Sequence, residues 1–424
     1  MGIDRKRLVS IVGGSAGNLV EWYDWFAFAA FSLYFTPVFF PNDSPTAGLL
    51  KSAMVFGAGF IVRPIGAWYM GRYADAKGRK AGLTLSVALM FSGSILLAIA
   101  PTYAQIGVLA PITLVIARMI QGLSLGGEYG ASATYLSEMA PRKNRGFWAS
   151  FQYMTLIGGQ LCAILVAVIL QLLLTEAELT AWGWRIPFVI GAILALLVFW
   201  LRRNLAETKS FDNLAKDRPA STARYLWSHH RRESLIVAAL SAGGGLSAYT
   251  FTSYMQKYLV NTAGFPKATA TYIIAAALIW FTAMQPIFGG LADRFGRKPM
   301  LLLFGIGGAI VAVPVFFALE TTSSAVMATL LIMIPLTLQS GYSANNALVK
   351  AELFPAHIRG LGVALPYSIG NAVFAGSLET VALGLKNAGY ETLFYFYVAF
   401  MIAAAGVATL MLPETRESSL IEED

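Results

Sequence analysis

Charge and cysteine are the scarce materials of this chain. Only 13% of its 424 residues are Asp, Glu, Lys or Arg, about half the share of a soluble domain. That shortage excludes an ordinary water-soluble globule. A single cysteine, Cys162, excludes an internal disulfide and leaves the redox compartment open. There are three histidines and no H-E-x-x-H or P-loop pattern. No constellation for nucleophilic, zinc-dependent or nucleotide-dependent catalysis can be assembled, so neither an enzyme nor a bound metal or cofactor is expected. Rings of like charge and a filter segment, the marks of a channel, are missing too. The glycine-rich runs Gly126-Gly127-Glu128 and Gly243-Gly244-Gly245 lie inside apolar stretches and read as packing sites.

Apolar length is what the chain has in abundance. Hydrophobic residues make up 57% of it, and the mean hydropathy is +0.62. Continuous runs of about 20 apolar residues, enough to cross a ~30 Å hydrocarbon core as a helix, recur throughout. Spans are expected near 9–36, 51–72, 82–100, 107–137, 147–173 and 184–203, then 234–260, 268–291, 300–319, 325–350, 360–384 and 392–412. The runs are continuous rather than alternating, so twelve helices are expected and not a barrel. The first carries Glu21 and Asp24 and is too long for a leader's apolar core, so it is expected to be retained.

If both termini face the cytoplasm, 24 of the 31 Lys and Arg residues fall on inner segments. Five fall at outer ends, namely Lys51, Arg185, Lys257, Lys267 and Lys386. The net charge of +8 therefore reports topology, and its spread over many short loops argues against nucleic-acid binding. The 204–233 stretch is the sole polar segment long enough to separate two halves. It is expected to be a solvated cytoplasmic linker rather than a metal site, despite His229-His230. The expected division is 1–203, 204–233 and 234–424.

Those halves repeat a motif. Gly71-Arg72-Tyr73-Ala74-Asp75-Ala76-Lys77-Gly78-Arg79-Lys80 returns 218 residues later as Gly289-Gly290-Leu291-Ala292-Asp293-Arg294-Phe295-Gly296-Arg297-Lys298. A second pair, Glu138-x-x-Pro141-x-x-x-Arg145-Gly146 and Glu352-x-x-Pro355-x-x-x-Arg359-Gly360, recurs at nearly the same offset. Glycines allow close approach of helices. Asp75 or Asp293 can accept from the N-terminus of a neighbouring helix and pair with a base such as Arg79 or Arg297. Such a contact would hold one face shut until transport breaks it, while the basic residues also anchor topology.

Twelve spans, duplicated halves and the repeated loop resemble the major facilitator superfamily. Arg118-Met119-Ile120-Gln121-Gly122 resembles its R-x-x-x-G element, and Pro413-Glu414-Thr415 its closing signature. Gly17-Asn18-x-x-Glu21-Trp22-Tyr23-Asp24 and Gly59-Phe60-x-x-Arg63-Pro64-Ile65-Gly66 look like the metabolite:proton symporter family. Residues 121–135, 150–161, 182–188 and 254–264 are similar to that family's bacterial α-ketoglutarate permeases. Two departures stand out. Ala76 replaces the usual base after the first loop aspartate, and Ala206-Glu207-Thr208 lacks the proline of its later partner. The resemblance implies an all-α integral membrane fold of two six-helix, pseudo-symmetric bundles. It also implies a monomeric inner-membrane symporter that imports a small dicarboxylate with protons by alternating access. Citrate, another organic acid or a zwitterionic osmolyte is the second expectation.

Charges inside spans are costly and therefore mark function. Those recognised are Glu21, Asp24, Arg63, Arg118 and Glu128, all in the first half. Counting along the spans puts Asp24, Arg63 and Arg118 at similar depth, and the resemblance implies that their helices meet. Asp24 is the expected proton carrier with Arg118 as its charge partner, and Glu21 and Glu128 are second choices. A permanent structural ion pair is the alternative. Arg63, with no acid in its own span, is expected to take a carboxylate in its guanidinium fork, with Arg118 as the second cation. Protonation of Asp24 would then free Arg118 for the anion. Arg185 and Lys257 are expected at the outer ends as interfacial anchors or as cations at the mouth. The second half offers uncharged polar groups, of which Tyr254, Asn346 and Tyr367 are the expected substrate contacts.

Overall fold

The computed structural model describes residues 5–41, 44–77, 79–203, 222–355 and 358–421. Side chains are described outside 5–16, 71–83, 201–203 and nine positions between 127 and 139. Among the described residues, twelve long helices carry the fold. They are α1 (Arg5–Phe39), α2 (Pro45–Lys77), α3 (Arg79–Ala98), α4 (Leu109–Met139), α5 (Arg142–Leu173) and α6 (Ile186–Arg203). The second set is α7 (Arg231–Asn261), α8 (Lys267–Phe295), α9 (Arg297–Thr321), α10 (Ala325–Glu352), α11 (Arg359–Asn387) and α12 (Glu391–Leu410). No strand occurs among the described residues. Each helix overlaps one expected span to within a few residues at most ends, because in lipid a segment must satisfy its backbone groups internally and the apolar run sets its length. The chain is a multi-pass membrane protein.

Within the first bundle α1 packs on α5, α2 on α4, and α3 on α6; within the second, α7 packs on α12, α8 on α10 and α9 on α12. The bundles meet chiefly where α2 lies along α11 and α5 along α8. Apolar side chains such as Leu172, Leu173, Ile310, Val326 and Phe400 remain exposed on the outer faces, where a bilayer would cover them. The second bundle contains three widened turns, at Thr250–Tyr254 in α7, Leu303–Gly307 in α9 and Asn371–Ala375 in α11. Such turns insert an extra residue and re-aim the side chains beyond them. Prolines interrupt the hydrogen-bond ladder inside α1, α2, α8, α9, α10 and α11.

Candidate functional site

Small residues set the spacing of the charged helices. A Cβ on Gly122 would lie 2.0 Å from the Gly59 carbonyl oxygen, and one on Gly126 would lie 2.1 Å from that of Arg63. Helices α2 and α4 therefore touch backbone to backbone, the packing that glycine permits in membranes. This close seam brings Arg63 and Arg118 against one aromatic side chain from α1. The Trp25 indole has the Arg63 guanidinium 4.0 Å from its ring centroid and the Arg118 guanidinium 3.8 Å from it. Phe60 and Trp22 complete the wall around Arg63, and Phe28 and Phe56 that around Arg118. Stacking on an aromatic face suits the weakly hydrated guanidinium.

Asp24 and Arg118 are both fully buried, at 0% exposure, but no direct ion pair joins them. Gln121 stands between. Its amide NH2 donates to Asp24 Oδ2 at 2.6 Å, and its carbonyl oxygen accepts from Arg118 Nη1 at 2.7 Å. Ser94 Oγ donates to Asp24 Oδ1 at 2.6 Å, and α6 presses on the same oxygen through Gly191. The expected contact of acid and base is thus a relay through an amide that has one donor end and one acceptor end. Arg118 keeps Nε and Nη2, and Arg63 its Nε and Nη2, without hydrogen-bond partners among the described residues. Glu21 is also buried but stands outside the Asp24–Gln121–Arg118 chain. The side chain of Glu128 lies outside the described residues.

A cavity of about 20 Å3 sits at the seam of the bundles, room for one water and too little for an organic acid. Trp22, Phe26 and Gln160 from the first bundle face Tyr249, Asn346 and Tyr367 from the second. Two of the three expected second-half contacts, Asn346 and Tyr367, line it. Tyr254 does not; it packs against Tyr258 and Phe394, within the widened turn that re-aims this stretch of α7. Arg63 and Arg118 do not line it either. Trp22, which lines the cavity, also lies against Arg63, with the guanidinium 5.3 Å from its ring centroid.

The two bundles are joined across the seam toward each end by contacts among the described residues. On the motif-loop face, Asp293 accepts from the backbone N–H of Gly146 at 2.8 Å and of Phe147 at 2.9 Å, at the start of α5. Arg297 lies 3.3 Å from the same carboxylate and 3.7 Å from Glu352. A Cβ on Gly289 would fall 2.5 Å from the Gly146 carbonyl oxygen. Glu414, from the closing signature, accepts from the Arg297 and Lys298 N–H groups at the start of α9. The second loop copy thus makes the helix-terminus contact its chemistry implies, while the side chains of Asp75 and Arg79 lie outside the described residues. On the opposite face, Gln171 of α5 donates to Tyr34 and to Thr271 of α8, and Lys267 pairs with Glu176 across the seam. Among the described residues, contacts thus bridge the seam on both faces.

The charge inventory of the spans requires correction. Glu379 falls within the eleventh span and is buried against Lys257 of α7, with which it forms an ion pair. Lys257 is therefore neither a snorkelling anchor nor a cation at the mouth. Lys350, counted with the inner loops, is in the last turn of α10 and only 1% exposed. The second half thus has buried charge as well. Arg185 is half-buried, stacks on Trp184 at 4.1 Å and donates to the Ala100 carbonyl oxygen at 2.9 Å, the arrangement of an anchor. In the linker's described end, His229 stacks on Tyr225 and His230 packs on Phe354.

A membrane-embedded acid relayed to an arginine, beside a cavity between two six-helix bundles, defines a secondary transporter. The family model of the Major Facilitator Superfamily matches residues 18–378, and the chain belongs to that superfamily. It is 50% identical over 408 residues to the alpha-ketoglutarate permease of Escherichia coli, covering 96% of this chain and 94% of that one. It is 32% identical over 390 residues to the citrate-proton symporter of Klebsiella pneumoniae, covering 89% and 85%. The proton:xylose symporter of Escherichia coli superposes with a TM-score of 0.80 at 20% identity, over 98% of both chains, which shows the fold. The function is transport rather than catalysis.

Proposed function

We propose that the protein imports a small dicarboxylate, α-ketoglutarate, together with protons across a bacterial inner membrane. The supporting observation is the pair of buried guanidiniums on Trp25, each with unpartnered donors, beside a carboxylate reached only through Gln121. Unpaired buried cations call for an anion, and the relay gives that anion a way to sense Asp24. When Asp24 is ionised it draws the Gln121 amide, and Gln121 in turn holds Arg118. When Asp24 is protonated its pull on Gln121 weakens, and Arg118 is released toward a carboxylate. Arg63 takes one end of the diacid, after Trp22 and Tyr249 part to admit it. Asn346 and Tyr367 supply polar contact from the second bundle.

The two bundles, 1–203 and 234–424, rock about this site as a monomer, joined by 204–233. Both termini lie in the cytoplasm, so the motif-loop face, sealed by Asp293 and Arg297 with Asp75 and Arg79 as the second copy, is the inner gate. The coupling ion is the proton, and no other cofactor takes part. The 50% identity to an alpha-ketoglutarate permease favours that cargo over citrate. Counterflow of labelled α-ketoglutarate into proteoliposomes, with and without a proton gradient, tests the reading. Uptake indifferent to the gradient overturns the coupling, and competition by citrate but not by α-ketoglutarate overturns the cargo.

Arg63→Lys keeps the charge but removes the planar fork and the stacking on Trp25. Affinity for the diacid is expected to fall about tenfold or more, the scale of one charge-assisted hydrogen bond. Unchanged KM in the same proteoliposomes would place the anion elsewhere.

A further inference from the structure

Lys350 is a buried cation that takes no part in the relay, the ion pairs or the gates. The residue is 1% exposed, and its ammonium has no hydrogen-bond partner among the described residues. Three tyrosine rings surround it: Tyr367 at 4.2 Å, Tyr129 at 5.8 Å and Tyr342 at 6.0 Å from Nζ. Tyr129 and Tyr367 lie nearly parallel, 8° apart, with centroids separated by 3.6 Å. That stack crosses the seam, since Tyr129 belongs to α4 and Tyr367 to α11. A face-to-face sandwich of electron-rich rings is a poor arrangement by itself, and a cation on its outer face offsets the repulsion. Through Tyr367 the stack reaches the cavity. Tyr367, Tyr342 and Asn346 line the cavity, and Lys350 lies one turn beyond Asn346 on α10.

From this placement we infer that Lys350 is the second bundle's carboxylate receptor, the determinant that makes the transporter select diacids over monoacids. The inference rests on the organic-anion reading of the site. Arg63 belongs to α2 and Lys350 to α10; Trp22, packed on Arg63, and Tyr367, in contact with Lys350, line the same cavity. A diacid can hold a cation of each bundle and draw the two together, whereas a monoacid can hold only one. The bond that occludes the cargo is then made by the cargo itself, as a ligand must do to shift a conformational equilibrium. Lys257, by contrast, is unsuited to this role because Glu379 already neutralises it.

The test is the concentration dependence of transport in proteoliposomes of wild type, Lys350→Gln and Lys350→Arg. α-Ketoglutarate serves as the labelled cargo, and a monocarboxylate, 2-oxobutyrate, as competitor. Lys350→Gln is expected to raise the KM for the diacid about tenfold or more while competition by the monoacid is unchanged, and Lys350→Arg to restore diacid preference. An equal loss for both acids, or no loss for either, overturns the assignment, since a purely structural lysine would not discriminate. Removing an unpartnered buried charge should not prevent folding. Lys350→Met, of similar length, provides a second neutral variant, to be read by the same criteria. Wild-type protein that transports citrate but not α-ketoglutarate overturns the cargo reading alone, and the comparison then runs with citrate. Wild-type protein that moves no organic anion overturns both readings.

Discussion

Asp24→Asn is expected to abolish proton-driven accumulation while leaving exchange of cargo at zero gradient. The carboxylate accepts two donors at 2.6 Å, Ser94 Oγ and the Gln121 amide. Asparagine fills the same volume but offers one acceptor and one donor end. Its carbonyl oxygen can keep the Gln121 NH2 while its own NH2 faces the Ser94 hydroxyl, which accepts as it donates to the Met90 carbonyl oxygen. The negative charge that draws Gln121, and through it holds Arg118, is gone, so the site stays as it would be when Asp24 is protonated. Such a protein binds anion but has no proton to carry. With one coupled proton, each pH unit of gradient supports about tenfold accumulation, and the variant should show none. Labelled α-ketoglutarate uptake under an imposed gradient, beside counterflow on the same vesicles, measures both quantities. Undiminished gradient-driven accumulation would sink the role of Asp24 and return the site to a static architectural pair. Loss of both activities would assign Asp24 to structure.

The relay marks the limit of what local sequence pattern can tell. Hydropathy gives the depth of a charge in the membrane but not the direction it faces, so Asp24 and Arg118 are legible as neighbours at one level. Gln121, three residues beyond Arg118 on the same helix, is legible as part of a motif but not as the group standing between them. The shared Trp25 platform depends on the α2–α4 seam, and that contact needs Gly59, Gly122 and Gly126 to be seen on one line across two helices. Twelve helices and their doubling are readable because apolar length and loop charge are local properties. The Lys257–Glu379 pair joins residues 122 apart, and no local pattern announces it. Tyr254 departs from its expected place because one extra residue in a widened turn rotates the neighbouring side chains by about 100° relative to a regular helix. Lys350 escapes notice because a basic residue at a span's end reads as a topology marker, and only the tyrosines packed over it remove it from water.

The motif-loop contact, the inner gate in the proposed function, should yield to two opposite perturbations with one result. Asp293→Asn removes the attraction that holds α8 to α5. The aspartate accepts from two backbone N–H groups at a helix start, where the helix dipole favours an anion, and it pairs with Arg297. Hydrogen bonds to a charged group contribute about 1.5–3 kcal/mol, so the closed population should fall about ten- to a hundredfold. Gly289→Val adds repulsion instead, because its Cβ would lie 2.5 Å from the Gly146 carbonyl oxygen and 2.9 Å from Ser150 Cβ. Ser150 is fully buried at this seam, so a Ser150→Cys probe in a Cys162→Ala background reports opening by its alkylation rate. Both variants should label at least about tenfold faster than the background protein. Their net uptake should fall, because a gate that cannot close cannot return the site to the outer face. The same logic separates this gate from the anion site. Neither variant touches Arg63 or Lys350, so binding of the diacid from the inner face should survive in both. Labelling that stays slow in both variants would show that Asp293 and the Gly146–Gly289 contact merely decorate a seam held shut by something else.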